Sequence, residues 1–139
     1  MKVIIRIRGK VKLERKTEET FRRINLYNKF NCIVISNPNK SQEGMINALE
    51  SLTAYGDINE KTLEMLIEKR GQWIDKKKKM DFKAVAQNLM KGQSLKENNL
   101  KPYFRLHPPR GGIKSKVHFP KGVLGNHKEK INDLIKRML

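Results

Sequence analysis

The chain has 139 residues, with 31 Lys and Arg against 14 Asp and Glu, a formal charge of +17 and a hydrophobic fraction of 37%. That length allows one ordinary domain, or a small one with an extension, and is enough to bury a core. A charge of this size repels itself unless a polyanion neutralises it, which disfavours a secreted disulfide module, a membrane protein and a typical small-molecule enzyme, and favours nucleic acid.

Val3, Ile5 and Ile7 alternate with Ile4, Arg6 and Arg8, a period of two that predicts a strand with one buried face. Gly9 ends it, and Lys10, Lys12, Arg15 and Lys16 make a basic loop. Thr17 is placed to cap a helix, with Glu18 and Glu19 at its positive end and Phe21, Ile24 and Tyr27 or Asn28 at helical spacing. The β-branched run Cys32-Ile33-Val34-Ile35 predicts a buried strand. Ser41 is placed to cap a second helix carrying Met45, Leu49 and Leu52, and Thr53-Ala54-Tyr55-Gly56 fits a short third strand. The order to residue 58 is therefore β-α-β-α-β.

Asn59 or Thr62 starts a third helix with Leu63, Leu66 and Ile67 on one face, and Gly71 stops it. Lys76 to Lys79 form a four-lysine linker suited to phosphate contact. Asp81 caps a fourth helix bearing Phe82, Val85, Leu89 and Met90, and Ser94 with Glu97 resembles a capping box for one more short helix. The Pro- and Gly-rich segment 101–121 reads as loop with a strand at 103–106. A final helix is expected from Asn126, with Glu129 closing a capping box, Ile131, Leu134, Ile135 and Met138 as its apolar stripe, and Lys136 and Arg137 at its negative end.

Charge is unevenly spread. Residues 1–60 carry a net +4 and residues 61–139 a net +13, and segment 101–121 holds six basic residues and no acid. This asymmetry marks a polyanion-binding element added to a folded core. Cys32 is the sole cysteine, so no internal disulfide or multi-cysteine zinc site can form. Its apolar setting suits a buried thiol better than a nucleophile. Charge returns at Arg6, too soon for a signal peptide, and no run approaches the roughly 20 apolar residues of a membrane span. A soluble, intracellular protein of a reducing compartment is expected.

Catalytic signals are weak. His107, His118 and His127 share no metal-ligand spacing, the carboxylates sit mainly in first turns of helices, and neither a GxxxxGK[ST] loop nor a GxGxxG after a strand is present. The stretch Leu106-His107-Pro108-Pro109-Arg110-Gly111-Gly112-Ile113 is the most distinctive. Its prolines hold the chain extended and its glycines permit close approach to a ligand. Arg105 and Arg110 offer planar forks for phosphate, Lys114, Lys116 and Lys121 continue the charge, and His118 and Phe119 offer planar groups for stacking. Arg6, Arg8, Lys10 and Lys12 make a second basic patch. Basic loops suit a folded RNA surface better than a groove-reading helix.

These residues, in this order and spacing, resemble the archaeal and eukaryotic long form of the large-subunit ribosomal protein L-thirty family, over about residues 3–138. Ile5-Arg6-Ile7-Arg8-Gly9 is similar to its first strand, and Asn28 to Pro38 with Gly44-Met45 to its second strand and following helix. Tyr55-Gly56-Asp57-Ile58, Thr62-Leu63 and Arg70-Gly71 resemble its junction with the extension, and Arg105 to Gly112 its most specific block. Leu124-Gly125-Asn126, Ile131-Asn132 and Arg137-Met138 resemble its closing helix. One departure is the single glycine at Lys121-Gly122, where the family pattern has a pair. The near absence of sequence before the first strand looks archaeal.

The resemblance implies an α+β protein: a β-α-β-α-β core at 1–58, ferredoxin-like, with a three-stranded antiparallel sheet and two helices on one face, then a basic, mainly helical extension at 59–139. It implies a structural, non-catalytic constituent of the large ribosomal subunit, cytoplasmic and ribosome-bound. Its partners would be large-subunit ribosomal RNA and neighbouring ribosomal proteins, with no cofactor, metal, membrane or small-molecule substrate. The expected RNA contacts are Arg6, Arg8, Lys10, Lys12, Arg15, Lys16, Arg22, Arg23, Arg105, Arg110, Lys114, Lys116 and Lys121, with His107, Gly111, Gly112, His118 and Asn126 alongside. The alternative is a free-standing architectural nucleic-acid-binding protein or RNA chaperone. An RNA-processing enzyme is a third reading without an obvious catalyst.

Overall fold

Strand β1 (Lys2–Arg6) is buried on both faces, not one, and the architecture follows from that. The computed structural model describes residues 1–75, 77 and 81–139. After β1 come α1 (Arg15–Arg23), β2 (Asn31–Ile35), α2 (Lys40–Ala48), β3 (Thr53–Asp57) and α3 (Glu60–Arg70). Then follow α4 (Phe82–Met90), β4 (Phe104–Arg105), β5 (Gly125–Asn126), a 3-10 turn at Lys128–Lys130 and α5 (Ile131–Met138). The β-α-β-α-β order is as the apolar runs predict. The four-lysine linker lies outside the described residues except for Lys77, which is exposed.

Alternate strand residues feed two separate cores. Ile4, Ile33 and Tyr55 pack with Phe21 of α1, Ile46 of α2 and the flanking Ile24, Leu26 and Leu49. Val3, Ile5, Cys32 and Ala54 face the other way, onto Leu63 and Leu66 of α3, Val85 and Leu89 of α4, and Ile131 and Ile135 of α5. The sheet is thus sandwiched, with the extension's helices covering the face that α1 and α2 leave open. A strand covered on both faces reads as a continuous apolar run, which is what Val3-Ile4-Ile5 is. Cys32 is fully buried, and desolvation pushes its thiol pKa far up, so it packs as a small apolar residue.

The sheet has five strands, not three, in the order β4-β2-β1-β3-β5. The central β2-β1-β3 is antiparallel as expected. The extension adds β4 antiparallel to β2, through Asn31↔Arg105 and Cys32↔Phe104. It adds β5 parallel to β3, through Ala54↔Gly125 and Tyr55↔Asn126, so the sheet is mixed. Both additions are two residues long, too short to carry a period, and both cover sheet edges.

Several helix starts move. Helix α1 begins before Thr17, after Glu14, which makes no side-chain cap. Asn39, not Ser41, caps α2: its Oδ1 accepts from Gln42 N at 2.8 Å, and Gln42 Oε1 accepts from Asn39 N at 3.1 Å. That helix ends at Ala48, so Leu52 falls outside it, and Ile46 is its buried residue. The Ser94–Glu97 cap bonds form, at 2.9 and 3.3 Å, yet close a turn and no helix follows. Asn126 lies in β5, and α5 begins at Ile131; Asn126 Oδ1 instead accepts from Lys128 N at 2.9 Å. Asn59 and Asp81 stand at the N-caps as expected, without side-chain cap bonds. Gly71 ends α3 in an extended conformation, where a Cβ would collide with the Ile67 carbonyl oxygen. Among the described residues no helix is long and apolar enough to cross a membrane.

Candidate nucleic-acid interface

The segment 101–121 is tied down at several points along the fold. Phe104 and Arg105 pair with β2, and Leu106 N donates to Phe30 O at 3.1 Å. His107 N donates to Met138 O at 3.0 Å and Arg110 N to Arg137 O at 2.9 Å. The Arg137 guanidinium returns three bonds, to Arg110 O at 3.2 and 2.9 Å and to Gly112 O at 3.0 Å. Gly111 and Gly112 both take positive φ, 77° and 70°, a region glycine enters without strain. Beyond them, Phe119 N donates to Leu124 O at 2.7 Å and Gly122 N to His118 O at 3.1 Å. Leu106 is buried. His107, Arg110, Gly111, Gly112, Lys114, Lys116, His118 and Lys121 are all exposed. Arg105 is exposed on the edge strand, its guanidinium carbon 5.9 Å from the Tyr103 ring centroid.

The loop after β1 is held by Leu52, whose carbonyl accepts from both Ile7 N and Arg8 N at 3.1 Å. Arg8, Lys10, Lys12, Arg15 and Lys16 are exposed, with Lys12 at φ 57°. Arg6 is different. It is 1% exposed and donates to four carbonyls: Nε to Arg8 O at 3.0 Å, Nη1 to Leu26 O at 2.9 Å and Tyr27 O at 3.1 Å, and Nη2 to Gly9 O at 3.1 Å. Its guanidinium carbon lies 3.9 Å from the Phe21 ring centroid. Burial lowers its pKa and Glu18 opposes that shift, but an arginine stays charged. The alternation that sets Arg6 on an outer sheet face is correct about the face and mistaken about the solvent, because α1 covers it. Arg6 is therefore not exposed to RNA, contrary to expectation: it ties the β1–α1 loop to the segment that follows α1.

The two basic patches meet in space. Arg8, Lys12, Lys29 and Lys116 line one recess of about 450 Å³, with Leu13 and Leu52 among its apolar residues and no carboxylate among its lining residues. Lys116 comes from the Pro/Gly segment and the other three cations from the first 29 residues. Lys29 escapes sequence reasoning because a single lysine in a turn carries no pattern. Arg22 and Arg23 are exposed on the last turn of α1; Arg23 pairs with Glu19 at 2.7 Å and lines a separate recess with Lys96 beside β2. Asn126 is exposed on β5. His127, which the sequence leads one to expect on the surface, is buried: its Nε2 lies 2.8 Å from Val123 O and its ring packs on Phe119 with centroids 4.5 Å apart. Among the described residues no His, Cys, Asp or Glu cluster could hold a metal.

The fold and its loops define the class: an α+β protein with a sandwiched sheet that presents clustered cations on its loops. A comparison with models of known protein families returns no match. Among curated proteins, the chain is 38% identical to the large ribosomal subunit protein uL30 of Archaeoglobus fulgidus, covering 99% of each chain. It is 38% identical to that of Nanoarchaeum equitans, over 98% of this chain and 97% of the relative. With that of Staphylothermus marinus the identity is 33%, over 98% and 96%. The chain belongs to the large ribosomal subunit protein uL30 family.

Proposed function

We propose that this chain is a structural, non-catalytic constituent of the large ribosomal subunit, cytoplasmic and ribosome-bound, that braces large-subunit ribosomal RNA by neutralising its phosphates and lies beside other ribosomal proteins. The observation that carries the reading is the convergence of Arg8, Lys12, Lys29 and Lys116 on one recess without a carboxylate. Four like charges so placed repel one another until an anion joins them. Full-length similarity to large-subunit proteins supports it and gives no support to a free-standing chaperone.

Beyond that recess, Lys10, Arg15, Lys16, Arg22, Arg23, Arg105, Arg110, Lys114 and Lys121 serve as phosphate contacts. His107, Gly111, Gly112, His118 and Asn126 serve at close approach. Residues 1–58 are read as a ferredoxin-like RNA-binding core, and 59–139 as the extension that presents segment 101–121. The test is sedimentation of a lysate at high magnesium. The expected result is recovery with the large subunit; recovery in the soluble fraction alone would contradict the proposal.

A further inference from the structure

A third recess, of about 410 Å³, lies between segment 109–122 and α5. Small ligands are held in cavities of roughly 300–1,000 Å³ with largely apolar walls and a few placed polar groups. Here Ile113, Phe119, Val123 and Leu134 supply apolar lining, and Lys114, Lys121 and Lys130 line the same space. Asp133 is the one carboxylate among the lining residues. It is exposed on the first turn of α5 and joins no ion pair among the described residues, where the single pair is Arg23–Glu19.

The aromatic wall is set in place. Phe119 rests on His127, which is itself held by the Val123 carbonyl, and the Phe119 N–H is bonded to Leu124 O. The Lys130 ammonium lies 5.7 Å from the Phe119 ring centroid, on a flexible stem. Apolar walls do nothing for a bare phosphate, and three lysines do nothing for an apolar side chain. A nucleotide uses both, because its base has a π-face and its phosphates are anionic.

The geometry points to a pocket for one unstacked RNA nucleotide whose base presents an N–H donor on its edge. The base lies against Phe119, the Asp133 carboxylate accepts an N–H from its edge, and the lysines hold the flanking phosphates as Lys130 swings off the ring. Every RNA base supplies such a donor: adenine, cytosine and guanine through their amino groups, and guanine and uracil through a ring N–H. The inference rests on the RNA-binding reading above and adds the chemistry of one site.

The test is chemical probing of large-subunit ribosomal RNA saturated with the full-length protein, using dimethyl sulfate for adenine and cytosine, kethoxal for guanine and a water-soluble carbodiimide for uracil. Wild type, Phe119→Leu and Asp133→Ala are compared, with circular dichroism as the check on folding. Asp133 is exposed, so its variant keeps the fold even where the Phe119 change perturbs packing. The expected result is one unpaired nucleotide protected by wild type and at least several-fold more reactive with either variant bound. RNA that is bound with the same protections in all three complexes overturns the pocket and leaves the wider function standing. Failure of the wild type to bind this RNA overturns both.

Discussion

Arg110 and Arg137 hold each other through the main chain. The Arg110 N–H donates to the Arg137 carbonyl at 2.9 Å, and the Arg137 guanidinium donates back to the Arg110 carbonyl at 3.2 and 2.9 Å. A further bond from Arg137 to Gly112 O, at 3.0 Å, fixes the glycine turn. One arginine is used as a clip, and the other keeps its own guanidinium on an exposed residue.

The two arginines should therefore fail differently. Arg137→Ala removes solvent-facing bonds and costs about 1 kcal/mol of stability. It should also speed amide exchange at Arg110 and Gly112 in the free protein, and Arg137→Lys should restore only part of the protection because a lysine lacks the planar fork. Arg110→Ala should leave exchange in the turn unchanged while weakening RNA binding. Hydrogen exchange on both variants checks this; equal effects would contradict the clip.

Arg6 is expected to behave as a structural residue. Arg6→Leu orphans carbonyls of Arg8, Gly9, Leu26 and Tyr27 and should cost at least about 2 kcal/mol, read by urea denaturation. Arg8→Ala, on an exposed residue, should cost less than about 0.5 kcal/mol. A small effect at Arg6 would return it to the RNA-facing set.

His127 gives stability a pH dependence. Burial lowers its pKa below the ordinary 6.5, while its bond to Val123 acts in the opposite direction. Between the folded pKa and 6.5 the unfolded chain binds more protons, so stability rises with pH there. This contribution is present above 6.5, is lost as pH falls through the window below it, and levels off under the folded pKa. Urea midpoints from about pH 7.5 to about pH 5 should decline for wild type and less for His127→Gln. Parallel profiles would contradict the assignment.

The strand–helix order was legible because β-branched runs and apolar residues at helical spacing act locally, while cap residues misplaced several helix starts. Arg6 misled because alternation reports a side chain's face and not what covers it, and the cover is α1, outside any local window. β4 falls inside the strand expected at 103–106, though its pairing with β2 was not legible, and β5 was hidden because two residues show no period. The Pro/Gly segment was legible as a basic loop, but its closure onto α5 was not: Arg137 reads as a helix-end charge, and its bonds to Arg110 and Gly112 join residues far apart in the chain. The meeting of Lys116 with Arg8 and Lys12 is likewise a product of the fold, and Lys29 became visible only through it.

The central claim is that the cations around that recess act together on RNA phosphates. The most direct measurement is the salt dependence of binding to large-subunit ribosomal RNA for wild type and for Arg8→Ala/Lys12→Ala/Lys116→Ala. Each lost phosphate contact changes the slope of log K against log[salt] by roughly 0.7 to 0.9, so the triple variant should flatten it by about 2 to 3. An unchanged slope in a folded triple variant would contradict the account.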